Sequence, residues 1–176
     1  MRYRFDGHEP TAGAGTYLSE TAQIIGDVVI GERCYIGHGA ILRGDYGRIE
    51  IGDGTAVEEG AIIHAPPQHT HHIGCSVTIG HGAILHGQRI GDSAVIGMGA
   101  VVSLLAEVGE WAIVAEGSVV RMSQQVPAEH VVAGNPAKVV RPVSDKDRAL
   151  WVFGKQLYVD LAAKYLAEPM VPLDEV

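Results

Sequence analysis

Aliphatic residues recur every six positions along most of this chain. Leu18, Ile24, Ile30, Ile36 and Leu42 form one series, and Ile51, Val57 and Ile63 a second. Ile73, Ile79 and Leu85 form a third, and Ile90, Ile96, Val102, Val108, Val114, Val120, Val126 and Val132 a fourth. Gly often follows the aliphatic residue, as at Gly31, Gly37, Gly52, Gly74, Gly80, Gly91, Gly97 and Gly109. Four positions after it stands a mostly small residue: Cys34, Ala40, Ala61, Ala83, Ala94, Ala100, Ala106, Ala112 or Ser118. A period of six is neither the helical 3.6 nor the strand's plain alternation. It predicts a parallel β-helix built from hexapeptides. The aliphatic residue fills the interior, the small residue fits a tight inner corner, and Gly is expected to relieve the turn. The steps from Leu42 to Ile51 and from Ile63 to Ile73 are long, and the step from Leu85 to Ile90 is short. The two long steps predict loops, where function concentrates more than on scaffold.

The motif Ile30-Gly31-Glu32-Arg33-Cys34-Tyr35-Ile36-Gly37-His38-Gly39-Ala40-Ile41-Leu42 resembles the hexapeptide-repeat family. That resemblance implies an all-β solenoid, a left-handed parallel β-helix of triangular section with three hexads per turn. The left hand runs against the usual right-handed crossover. From Pro142 the period changes. Ser144-Asp145-Lys146-Asp147 has the form of an N-cap with an acid three residues on. Leu150, Phe153, Leu157, Leu161 and Tyr165 follow at helical spacing, and Pro169 and Pro172 end the segment. The expectation is a β-helix domain over 1–142. A C-terminal amphipathic α-helix, about 144 to 167, and its tail occupy 143–176 and pack along the outside.

The net charge of −8, from 13 basic and 21 acidic residues, argues against nucleic acid or an anionic membrane as partner. No apolar run is long enough to span a bilayer, and the opening residues hold no signal-peptide stretch. A cytoplasmic protein is expected. Two cysteines, Cys34 and Cys75, do not suggest a disulfide framework, and Cys34 holds a small-residue corner position suited to a buried thiol.

Six of the nine histidines lie between His64 and His86. The repeat places them. Residues three hexads apart stack, so Arg43, His64 and His86 form one outward column on adjacent coils, with rungs roughly 4.8 Å apart. Two imidazoles so spaced can converge on one cation. His81 lies two residues after Ile79 and projects from another side of the prism, out of reach of that pair in its own chain. It can meet the pair of a neighbour if the prism closes as a cyclic trimer. The expected site takes His64 and His86 from one chain and His81 from the next. Three neutral imidazoles and an open position are the ligand set of a catalytic zinc, with ferrous iron or cobalt as alternatives. Such a metal lowers the pKa of bound water to near 7.

These residues carry a further likeness. Arg43-Gly44-Asp45, Gly60 to His64, Ile79 to Gly87, Gly97 to Ala100 and Ala133 to Lys138 resemble the γ-class carbonic anhydrases. The resemblance implies reversible hydration of CO₂ to bicarbonate by metal-bound hydroxide at a homotrimer interface. It also implies an ion pair between Arg43 and Asp45 that helps assemble the trimer. The family usually has Asn-x-Gln-Asp before the first metal-histidine segment, where this chain has Ala56-Val57-Glu58-Glu59. Glu58, with Glu59 beside it, thus stands where an amide orients water or bicarbonate. It can accept a hydrogen bond or act as general base. The loop Ala65-Pro66-Pro67-Gln68-His69-Thr70-His71-His72 replaces the family's acidic insertion, and its histidines suit proton shuttling. Three other readings fit parts of the pattern. They are a non-catalytic metal-binding trimer or assembly scaffold, a hexapeptide acyltransferase, and a hydrolase of CoA thioesters.

Overall fold

The computed structural model describes residues 1–171 and 173, so Pro172 and the last three residues of the expected tail lie outside the described residues. The chain winds as a left-handed parallel β-helix of about seven turns with a single C-terminal helix. Three faces repeat in order. On one face Ile24 pairs with Leu42, Leu42 with Ile63, Ile63 with Leu85, Leu85 with Val102 and Val102 with Val120. The second face runs Ile30, Ile51, Ile73, Ile90, Val108, Val126. The third runs Leu18, Ile36, Val57, Ile79, Ile96, Val114, Val132. Strands Gln23–Ile30 and Ile41–Ile51 bend around one corner and join the first two faces into a single sheet. The final strand, Lys138–Pro142, turns back antiparallel on His130–Ala133.

Every aliphatic residue of the repeat is buried in one continuous core, except Leu18 at the open end, which is partly buried. Each such side chain contributes about 1.5–3 kcal/mol when withdrawn from water. The small corner residues are equally enclosed, from Cys34 to Ser118. The glycines work differently from expectation. Those that follow the aliphatic residue are not in the left-handed conformation; they sit too close to the next coil to carry a side chain. A Cβ on Gly97 would lie 2.6 Å from the backbone nitrogen of Glu116. The turn itself is made two residues later. Gly99 has φ +65°, and a Cβ there would meet nothing within 4 Å. Non-glycine residues take the same turn elsewhere, among them Arg33, Ser93, Leu105 and Trp111.

One interior residue is not apolar. His71 pairs in register with Ile49, and its side chain is fully enclosed. Neither ring nitrogen has a hydrogen-bond partner among the described residues. Burial, with His86 and His72 close by, lowers its pKa to about 3.

The helix, α1, spans Asp145–Ala167. Its start is as the sequence predicts. The Ser144 hydroxyl accepts from the Asp147 N–H, and the Asp147 carboxylate accepts from the Ser144 N–H. Arg141 donates to both oxygens of that carboxylate, at 2.6 and 3.0 Å. α1 lies against the third face of its own β-helix, over Tyr17–Leu18, Tyr35–Ile36 and Ala56–Val57. The packed face differs from the expected stripe. Leu150, Phe153 and Leu157 point outward, the first two at 62% and 63% exposure. The covered side carries Trp151, Lys155, Tyr158, Ala162 and Tyr165, with Leu161 at its margin. Tyr165 stacks on Tyr17 with centroids 4.6 Å apart, and Tyr158 leans on Tyr35 at 5.2 Å. Lys155 donates to the carbonyls of Ser93 and Ala94 at 3.0 and 3.3 Å, and burial lowers its pKa to about 8. The helix thus docks by aromatic tiling and one buried lysine rather than by its leucines. No helix among the described residues is long and apolar enough to cross a membrane.

Two predictions follow from this packing. Gly97→Ala should cost about 3 kcal/mol by overpacking between coils, and Gly99→Ala about 1 kcal/mol from the turn conformation alone. Urea unfolding of the two variants should rank them in that order. His71 binds fewer protons folded than unfolded between its lowered pKa and the ordinary value near 6.5. Stability conferred by the neutral ring is therefore complete above about pH 6.5 and is lost as pH falls towards 3, by about 1.4 kcal/mol per pH unit. In the metal-free protein, His71→Leu should flatten this acid-side decline in melting temperature; a pH profile parallel to wild type would refute the assignment.

Candidate metal centre

The hexad register builds the site. Arg43 pairs directly with His64 across adjacent coils, and His86 follows Leu85, the partner of Ile63. The His64 and His86 rings face each other with centroids 4.6 Å apart. His64 Nε2 stands 3.0 Å from the Asp45 carboxylate, and the Arg43 guanidinium lies 3.1–3.2 Å from both nitrogens of the same ring. Arg43 and Asp45 pair with each other at 3.4 Å within the chain. His86 Nε2 is buried and has no hydrogen-bond partner among the described residues. Burial, then the nearby His64 and Arg43, lowers the His86 pKa, so its imidazole is neutral and offers a lone pair. Ile62 and Ile84 flank the pair and remain 36% and 46% exposed.

His81 sits on a different corner, in the column His38, Glu59, His81 set by the third face. Glu59 Oε2 lies 2.8 Å from His81 Nδ1, and Glu58 Oε2 lies 3.1 Å from His81 Nε2. Glu58 also accepts from the His81 backbone N–H at 3.1 Å. Glu58 is only 5% exposed. Its register neighbours below and above are Gly37 and Gly80. The Tyr158 hydroxyl of α1 lies near it. Burial pushes the Glu58 pKa up, with His81 and Tyr158 opposing. Glu59 is also partly desolvated, but the Tyr35 hydroxyl at 2.6 Å, together with His81 and His38, holds its pKa below the usual carboxylate range.

The structure therefore brings Arg43, Asp45, His64 and His86 together at one corner and Glu58, Glu59 and His81 at another. No group of three metal-binding side chains occurs within the chain among the described residues. Ala56, at the family's Asn position, is buried beneath α1. The loop histidines disperse. His72 pairs with Glu50 at 3.0 Å on the second face, His71 is interior, and His69 bonds the Pro67 carbonyl. Of these, His69 borders a recess of about 310 Å³ that Asp45, Tyr46 and His8 also line, whereas His64 and His86 line a separate one. Tyr35 and Tyr158 were not among the expected site residues. Their aromatic rings lie outside any apolar repeat, and only the fold shows that the Tyr35 hydroxyl bonds Glu59 and that Tyr158 lies near Glu58.

These features define a hexapeptide-repeat left-handed β-helix with clustered outward histidines. The chain belongs to the γ-class carbonic anhydrase-like family of that superfamily. It is 38% identical over 162 residues to the carnitine operon protein CaiE of Proteus sp. (strain LE138), covering 92% of this chain and 82% of that protein. It is 34% identical over 173 residues to mitochondrial gamma carbonic anhydrase 1 of Arabidopsis thaliana, 95% of this chain but 63% of that protein's length. The crystal structure of a hexapeptide transferase family protein from Anaplasma phagocytophilum superposes with a TM-score of 0.88 at 32% identity, covering 93% of this chain and 97% of that one. A search of family models returned no match.

Tyr35 supplies the test of this electrostatic arrangement. Tyr35→Phe should destabilise the protein by about 1–2 kcal/mol at pH 7, the lower range for a charged hydrogen bond because Glu59 is partly wet. Since the Glu59 pKa is depressed, that contribution exists above the unfolded value and fades as pH falls through the acid range. Denaturation of the pair at pH 7 and pH 3.5 measures it, and an equal difference at both would count against the Tyr35–Glu59 bond.

Proposed function

We propose that the chain is a metal-dependent carbonic anhydrase that hydrates CO₂ reversibly to bicarbonate as a homotrimer in the cytoplasm. His64 and His86 of one subunit and His81 of the next would hold a divalent cation, zinc or alternatively ferrous iron or cobalt. The observation that carries this reading is the buried, unpartnered Nε2 of His86 beside the His64 ring, flanked by exposed Ile62 and Ile84. A neutral imidazole with an unpartnered, buried ring nitrogen can turn its lone pair to a cation, and the apolar margin suits a contact with another copy. The donor set, three neutral imidazoles, fits such an ion. When bound, the ion brings the pKa of water near 7 and supplies a nucleophile at neutral pH.

The chain's own groups prepare the rest. Asp45 fixes the His64 ring, and Arg43 neutralises Asp45 from the same coil. Glu59 takes the Nδ1 proton of His81, which leaves Nε2 as the ligating nitrogen, the usual carboxylate–histidine arrangement behind a metal. His69 borders the recess beside Asp45 and would serve to pass a proton to solvent. A structural metal trimer is the second reading, favoured by the Ala56 and Glu58 substitutions at the amide positions.

Stopped-flow CO₂ hydration on protein reconstituted separately with zinc and ferrous iron decides between them. Turnover well above background, one metal per chain, and loss of both in His81→Ala are the expected results. Full metal occupancy without turnover would select the scaffold. Full occupancy in His81→Ala would remove the interface site altogether.

A further inference from the structure

We propose that Glu58 is itself a metal ligand, a fourth protein donor that travels with His81 to the interface. This rests on the interface metal site proposed above and goes beyond it. The argument starts from His81, whose two ring nitrogens each face a carboxylate oxygen, Glu59 at 2.8 Å and Glu58 at 3.1 Å. A neutral imidazole has one N–H and one lone pair. Glu59 holds the shorter contact and takes the N–H. Glu58 Oε2 then stands lone pair to lone pair against Nε2. Such a contact is repulsive unless a proton or a metal ion lies between the two atoms. Two donors bound to one cation at about 2.0–2.2 Å are separated by about 2.8–3.6 Å, for angles from a right angle to tetrahedral. The observed 3.1 Å falls in that interval.

The position of the carboxylate is set independently of any metal. Its burial and its hydrogen bond from the His81 backbone N–H hold it on the side of Nε2, with the Tyr158 hydroxyl nearby. His81 meanwhile leaves 47% of its side chain exposed, open to a neighbour's His64 and His86. A glutamine in the same position would present a neutral, weaker donor. The ligand role replaces the general-base role that the sequence suggests, because a carboxylate bound to a cation is no longer a free base. It also makes the site one of three histidines and one carboxylate. An open position for water then requires a coordination number above four.

Cobalt titration with visible absorption spectroscopy tests this on the intact protein. Glu58→Gln should weaken cobalt binding by about 10- to 100-fold and change the position and intensity of the visible bands, because a ligand is replaced. Glu59→Gln should weaken binding while leaving the band shape intact. Sedimentation of the metal-free variants checks that they remain folded. Should Glu58→Gln fail to fold, metal-loaded minus metal-free infrared difference spectra of the wild type take its place, and the absence of any carboxylate shift overturns the proposal. If wild type binds cobalt, His81→Ala releases it, and Glu58→Gln leaves affinity and spectrum unchanged, Glu58 is no ligand while the interface site stands. If wild type binds none, or His81→Ala binds as tightly as wild type, the interface site fails and this proposal with it.

Discussion

Backbone hydrogen bonds from each coil to the next hold this molecule together and align everything attached to it. The bonds are parallel and repeat in strict register, so an outward side chain always has the same-phase residue of the next coil directly over it. The interior aliphatic column keeps that register, since a slip of one residue would turn every buried side chain outward. Two consequences follow for the chemistry. Histidines distant in sequence become face-to-face neighbours, as His64 and His86 do. Glycines at one phase let successive coils approach closely, as Gly37 and Gly80 do on either side of the Glu58 position.

The solenoid and its columns were legible in the sequence because a period of six has one structural solution. The pairing of Arg43 with His64, the stacking of His86 and the separation of His81 all follow from counting hexads. Three features were not legible. The glycines after the aliphatic residues read as turn formers, yet their role is close approach between coils, and that distance is invisible in one dimension. α1 presents Leu150 and Phe153 to solvent because its partner surface is a tyrosine face rather than an aliphatic one. His71 reads as one more polar residue of a histidine-rich loop, whereas the strand alternation after the insertion turns it inward opposite Ile49.

The same alternation separates the loop's histidines by duty. A strand sends successive side chains to opposite sides, so adjacent His71 and His72 cannot serve one site. A ring as enclosed as His71, with its pKa near 3, stays neutral at physiological pH and moves no proton. That leaves His69, on the loop before the strand, as the member that shares a recess with Asp45. A cluster in sequence is therefore not a cluster in space.

The helix, the carboxylates and His81 form one mechanical unit. Tyr158 lies near Glu58, Tyr35 bonds Glu59, and both carboxylates end on the one imidazole. A carboxylate enclosed like Glu58 is costly to keep charged, and the hydroxyl and N–H donors offset only part of that cost. A positive partner would offset the remainder. Within the chain that partner is His81 if its ring takes a second proton; across an interface it is a cation. The two are mutually exclusive at Nε2, because one lone pair cannot hold both. The docking of α1 thus bears on whatever binds at His81, although the helix contributes no ligand of its own.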